Sequence, residues 1–154
     1  MRTDVKRRGW TISAEGNDLA DRFLESVFFT GNGRMGARGY PAYRPIRRPL
    51  DAGLFLAGFY DRISDSTELT DFVNLPTPIW YQIRLNGRTP AIPSQLSREL
   101  DLRTGLLTFR YRLSIADDWV DVQEQRFFSL AKPSFLFQRL EFQGRGQVEL
   151  LAGI

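Results

Sequence analysis

The side chains that most often carry enzymatic chemistry are missing from this sequence. Its 154 residues include no His and no Cys. That removes the usual general base, the Ser-His-Asp triad, the commonest metal ligand, thiolate nucleophiles, disulfides and Cys-based zinc sites. Chemistry would have to come from carboxylates, Lys, Tyr or backbone groups. The carboxylates open to such a role are Asp61, Glu68, Asp71, Asp117, Asp118 and Glu124. Nothing in their spacing pairs them, and Asp117-Asp118 before Trp119 is an ordinary turn sequence. They read as turn, edge and solvent-facing groups, where most Asp and Glu lie.

The sharpest local pattern is Glu25-Ser26-Val27-Phe28-Phe29-Thr30-Gly31-Asn32-Gly33-Arg34-Met35-Gly36-Ala37-Arg38-Gly39. So many glycines beside an Asn imply backbone at positive φ or in close approach to another segment. A phosphate cradle is one reading, but the Lys-Ser/Thr end of a P-loop and the spacing of a dinucleotide fingerprint are both absent. A ligand-facing loop is a second. The third, best supported by the residues alone, is a tight β-turn with Gly31-Asn32-Gly33 as its corner.

The elements that must position these groups are mostly strands. In Ile79-Trp80-Tyr81-Gln82-Ile83-Arg84-Leu85 the odd positions are apolar and Gln82 and Arg84 are polar, as in a half-buried strand. Asn86-Gly87 follows, the strongest short hairpin signal, with only a short return strand before Pro90 and Pro93. A second hairpin is expected between residues 96–102 and 106–113, turning at Arg103-Thr104-Gly105. After a turn at Asp117-Asp118, strands follow at 119–128, 135–142 and 147–151. Gly144-Arg145-Gly146 closes the second of these. The first half is less regular: a strand at 10–13, one or two helical turns at 18–25 with Leu19, Phe23 and Leu24 on one face, a strand at 53–60, and a loop over 61–75. The fold class expected is all-β, an antiparallel β-sandwich.

Composition agrees. With 42% hydrophobic residues, 12 Phe and 3 Trp there is material for one real core. The net charge of +3 comes mainly from Arg. Arg44, Arg47 and Arg48 sit between prolines and read as a solvated loop, since no nucleic-acid motif accompanies them. No signal-peptide core follows Met1, and no stretch is long enough to span a bilayer, so a cytoplasmic location is expected. The apolar end at 148–154 suggests a sandwich cut at its C-terminal side, with 1–154 forming one domain.

The glycine-rich segment, read as Glu-Ser-x-Phe-x-x-Gly-Asn-Gly-x-x-Gly-x-Arg-Gly, resembles the opening motif of family 65 glycoside hydrolases, which include maltose, trehalose and kojibiose phosphorylases. Further blocks are similar to that family in the same order: Phe55-Leu56-Ala57-Gly58-Phe59-Tyr60-Asp61, Glu68-Leu69, Val73-Asn74-Leu75-Pro76, Leu100-Asp101-Leu102-Arg103-Thr104-Gly105-Leu106-Leu107 and Glu124-x-Arg126-Phe127-Phe128-Ser129-Leu130-Ala131. The chain departs from the pattern in the inserted Thr70, Asp71 and Phe72, in the Arg- and Pro-rich segment 40–50, and at Arg34, where an aromatic residue is expected.

The resemblance implies the N-terminal part of a β-super-sandwich, galactose-mutarotase-like, in a larger α-glucoside phosphorylase or hydrolase. The general acid of such an enzyme is a Glu in an α/α barrel, and phosphate attacks the anomeric carbon with inversion. Neither maps onto this chain, so no catalytic, metal or cofactor-binding residue is assigned. Asn32, Arg38, Asp61, Asn74 and Trp80 are loop candidates for lying near the active site of the full-length enzyme. The implied partners are the rest of the polypeptide with its catalytic barrel, a disaccharide, and inorganic phosphate as co-substrate. A homodimer is left open, and no nucleic acid, membrane or bound cofactor is expected. A free-standing carbohydrate-binding sandwich is the rival reading. Trp80 shares the polar face of its strand and is expected to pack against another domain. Trp10 and Trp119 are expected in core or inter-sheet packing.

Overall fold

The structure is a computed structural model that describes residues 4–16, 22–43, 53–62, 70–76, 78–91, 93 and 95–152. Strands dominate it: β1 (Val5–Arg8), β2 (Thr11–Gly16), β3 (Thr30–Gly31), β4 (Met35–Ala37), β5 (Leu54–Leu56), β6 (Tyr60–Arg62) and β7 (Thr70–Phe72) in the first half. The second half adds β8 (Tyr81–Leu85), β9 (Leu96–Asp101), β10 (Leu106–Ile115), β11 (Asp118–Phe128), β12 (Leu136–Arg145) and β13 (Val148–Ala152). One short helix, α1 (Arg22–Val27), lies between β2 and β3.

The main sheet has the order β1-β2-β9-β10-β11-β12, all antiparallel. Its inner face is the apolar half of the period-two pattern: Leu107, Phe109, Tyr111 and Leu113 on β10, and Val120 and Val122 on β11. A second layer, β8 paired with β13, covers that face. Ile79, Tyr81 and Ile83 enter the same core. Leu24, Phe28, Tyr40, Ala42 and Tyr43 close it from the side. Two apolar faces meeting in this way make a β-sandwich, as the alternation predicts. A smaller sheet, β3-β4-β5, stands over Phe128 and Leu136 with a second cluster of Ala37, Leu54, Met35 and Leu75. A two-stranded ribbon of β6 and β7 lies beside it in the chain.

Several expectations are corrected. Asn86 and Gly87 do form the tight turn, at φ 52° and 70°. The ladder partner of β8, however, is β13, in register Leu85↔Val148 to Tyr81↔Ala152. The return after Gly87 is a single bridge, Leu85↔Arg88, because Pro90 has no N–H to extend it. The apolar segment 53–60 is two strands, broken after Leu56 by a turn in which Gly58 takes φ 81°. The expected loop 61–75 begins inside β6 and contains β7; residues 63–69 lie outside the described ones. The helix starts at Arg22, and of its expected apolar face Leu24 is buried while Phe23 is 62% exposed. Leu19 lies outside the described residues. Strand β12 runs through Gly144, whose missing side chain lets the Trp119 carbonyl come close; Gly146, at φ 112°, follows the strand's end. The charged strand β1 was not foreseen, since an edge strand with exposed side chains needs no apolar alternation. Trp10 is 57% exposed with the Arg103 guanidinium over its ring. Trp119 lies on the outer face of the main sheet under Arg112, 4.2 Å from its ring centre. Neither is a core tryptophan: Trp10 lies in the turn between β1 and β2, Trp119 faces away from the second layer, and each ring has a cationic cover.

Candidate functional site

The most unusual chemistry in the molecule is inside it. Glu124 and Arg126 occupy core-facing positions of β11, and both side chains are fully buried. The solvent-facing reading of Glu124 is therefore wrong: it shares the inward parity of Val120 and Val122. Glu124 Oε2 accepts from the Ala42 amide at 3.0 Å and the Tyr81 hydroxyl at 3.1 Å. Its Oε1 accepts from Arg126 Nη1 and Gln138 Nε2, each at 3.3 Å. Arg126 Nη2 donates to the carbonyls of Arg38 and Tyr40. Its guanidinium also lies between the rings of Tyr40 and Phe109, at 5.2 and 4.9 Å. The Tyr81 and Tyr111 hydroxyls are hydrogen-bonded to each other, and the Tyr43 and Tyr111 rings stack.

Burial pushes the Glu124 carboxyl above the usual carboxylate range, opposed by the charge of Arg126 and the hydrogen bonds it accepts. Burial also raises Tyr81 and Tyr111, and the neighbouring Glu124 charge raises both further. These tyrosines stay neutral. The network pins segment 38–43 to the main sheet, and apart from Arg126 Nε, which is buried without a hydrogen-bond partner, its polar groups are spent on one another and on backbone. It holds the fold together and presents no open reactive atom. The signal available in the sequence was the alternation itself: counting inward from Val120 places Glu124 and Arg126 in the core.

The glycine-rich segment is the tight corner that its residues favoured. Gly33 takes φ 83° in the turn between β3 and β4. The other glycines serve close approach: a side chain at Gly39 would collide with Phe28 backbone at 2.5 Å. Asn32 is a clamp. Its Oδ1 accepts from the amides of Arg34 and Met35, at 3.1 and 3.0 Å, which holds the turn. Its Nδ2 donates to the carbonyls of Ser129 at 2.7 Å and Pro133 at 3.0 Å, which ties that turn to the connection between β11 and β12.

The other candidate residues separate into three places. Arg38 follows β4, its amide donating to Gly53 at 2.9 Å and its aliphatic stem packed beside that glycine. Asn74 precedes Leu75, which bridges Leu54 of β5, so Arg38 and Asn74 both flank the same small sheet. Trp80 is half-buried just before β8, with Gln82 and exposed Arg84 on its parity. Asp61 is on strand β6 and not in a loop. The register sets it directly opposite Asp71, a carboxylate pair that no sequence spacing suggested. Both are exposed, and each accepts from the next residue's amide, at 2.8 and 2.7 Å. The opposite side of the ribbon carries Tyr60 against Phe72, with Phe55 and then Phe29 continuing a chain of ring contacts at 4.9, 6.0 and 6.4 Å. Phe29, Tyr60 and Phe72 are all exposed, as is Phe59. Among the described residues no group of three or more acidic side chains could hold a metal ion. No described helix is long and apolar enough to cross a membrane.

Residues 14–154 match the model of the glycosyl hydrolase family 65 N-terminal domain, and the chain belongs to that family. A trehalose 6-phosphate phosphorylase from Lactococcus lactis subsp. lactis (strain IL1403) is 26% identical over 123 residues, which cover 73% of this chain and 16% of the relative. A solved structure of a protein assigned as a kojibiose phosphorylase, from the human microbiome, superposes with a TM-score of 0.76 at 15% identity, covering 95% of this chain and 21% of that one. The chain thus spans about a fifth or less of the length of these two proteins.

Proposed function

We propose that this chain is the non-catalytic N-terminal module of an inverting phosphorylase acting on α-glucosidic disaccharides, with inorganic phosphate as co-substrate. Its own work is to dock the remainder of the polypeptide and shape the entrance to the active site. One observation carries the reading. The blocks that resemble the family build a corner, a buried ion-pair keystone and, together with the inserted Phe72, an aromatic surface, and they leave the reacting groups to be supplied from elsewhere. Glu124 is committed inside the core. Asp61 and Asp71 stand on an exposed ribbon, where two carboxylates cannot enclose a sugar as glycoside cleavage requires. Exposed Phe29, Phe72 and Tyr60, linked through half-buried Phe55, supply apolar area of the kind that packs against a neighbouring domain. In this reading Asn32, Arg38, Asp61, Asn74 and Trp80 stay candidates for lying near the active site of the full-length enzyme.

The test compares residues 1–154 alone with the polypeptide that carries them, assayed for phosphate-dependent release of glucose 1-phosphate from maltose, trehalose, trehalose 6-phosphate and kojibiose. The longer polypeptide is expected to turn over one of these, the isolated module none. Turnover by the module that disappears on Asp61→Ala, or a longer polypeptide inert with all of them, would sink the reading.

A further inference from the structure

The outer face of the main sheet forms the floor of a broad groove of about 1010 Å³. The ladder register makes its floor regular. One row runs Glu15–Ser97–Arg110–Gln123–Glu141, one residue from each of β2, β9, β10, β11 and β12. The next row is Gln95, Arg112, Asp121 and Gln143, and Ser114 lies beyond it. Crossing five strands gives the floor a length of about 19 Å, at roughly 4.8 Å per strand spacing.

The floor has two kinds of polar group. Its centre is held rigid by mutual pairing: Arg110 donates to Gln123 at 2.8 Å, Gln123 donates to Glu141 at 2.8 Å, and Arg112 grips Asp121 through two bonds of 2.6 and 2.7 Å. These guanidiniums and amides keep unused donors. Around them the side chains of Glu15, Gln95, Ser97, Ser114 and Gln143 make no hydrogen bond or ion pair among the described residues. Two guanidiniums face three carboxylates, so the groove carries no positive excess to hold a phosphate or a nucleic acid.

We propose that this groove is a binding site for a neutral, polyhydroxylated chain, an oligosaccharide. Such a ligand matches a floor of preorganised, alternating donors and acceptors with little net charge, and loses little by exchanging water for them. The site lies on the face of the main sheet turned away from the core, and it stands apart from the aromatic surface assigned to domain docking. It would hold a sugar chain without cleaving it.

The experiment is a titration of the 154-residue chain with maltotetraose, read by tryptophan fluorescence, since Trp119 lies under Arg112 at the groove's end. Gln143→Ala and Ser97→Ala are titrated in parallel. Both side chains are free of partners, so these variants should melt with the wild type. Saturable binding at millimolar sugar is expected, weakened about fivefold in each variant for one lost hydrogen bond. No saturable change in the wild type, equal binding by both variants, or tighter binding of inorganic phosphate than of maltotetraose would each overturn the proposal. None of those outcomes bears on the phosphorolysis assay above.

Discussion

Strand β11 carries the same chemistry on both of its faces, with opposite physical standing. On the outer face Asp121 meets Arg112 in a two-bond pair, with side chains 45% and 56% exposed. On the inner face, a few residues on, Glu124 meets Arg126 with neither side chain exposed at all. The outer pair has the better geometry, 2.6 Å against 3.3 Å. It is nevertheless the less consequential one, because water solvates either partner when the other is removed. The inner pair has given up its water. Each member depends on the other, and on the loop backbone groups of Ala42, Arg38 and Tyr40. Geometry tells how well two charges fit; burial tells what happens when one is lost.

The largest test of this contrast is Glu124→Ala. It leaves Arg126 charged and buried, and should cost about 3–5 kcal/mol in urea or thermal unfolding. A cost no greater than that of Asp121→Ala would break the comparison. A middle-sized effect is expected from the double variant Glu124→Leu with Arg126→Met. Removing both charges ends the mutual dependence but strands the Ala42 amide and the Tyr40 carbonyl, while the Arg38 carbonyl keeps the Tyr40 amide, so about 1–3 kcal/mol should remain. A double variant as damaged as the single one would show that the loop contacts, and not the charge pair, dominate.

The smallest effect is one of pH. Arg112 holds the Asp121 carboxyl below the usual range, chiefly through its hydrogen bonds. A carboxyl depressed in the folded state adds stability above its unfolded pKa, and loses it as pH falls through the folded one. Burial raises Glu124, which has the opposite sign: its contribution is complete below the unfolded pKa and fades as pH rises through the raised value. The two faces of one strand therefore pull the acid limb in opposite directions. Asp121→Asn should leave neutral stability nearly unchanged and lessen the loss of stability on acidification. An acid limb identical to that of the wild type would remove Asp121 from the balance.

The sequence by itself determined the class of fold and most of its second half. Alternation on 79–85 and 106–113 named the buried faces, and Asn86-Gly87 and Arg103-Thr104-Gly105 named the turns, because period and turn chemistry are local properties. The same local logic read Gly31-Asn32-Gly33 as a corner. Partnership was decided only by the tertiary structure. That β8 pairs with β13, that Asn32 reaches Ser129 and Pro133, and that Glu124 receives the Ala42 amide are contacts between segments distant in the chain, and that Asp61 faces Asp71 is set by the register of two neighbouring strands. A strand's alternation says which side chains turn inward but not what they will meet there. A buried charge is tolerable only once its partners have been brought to it.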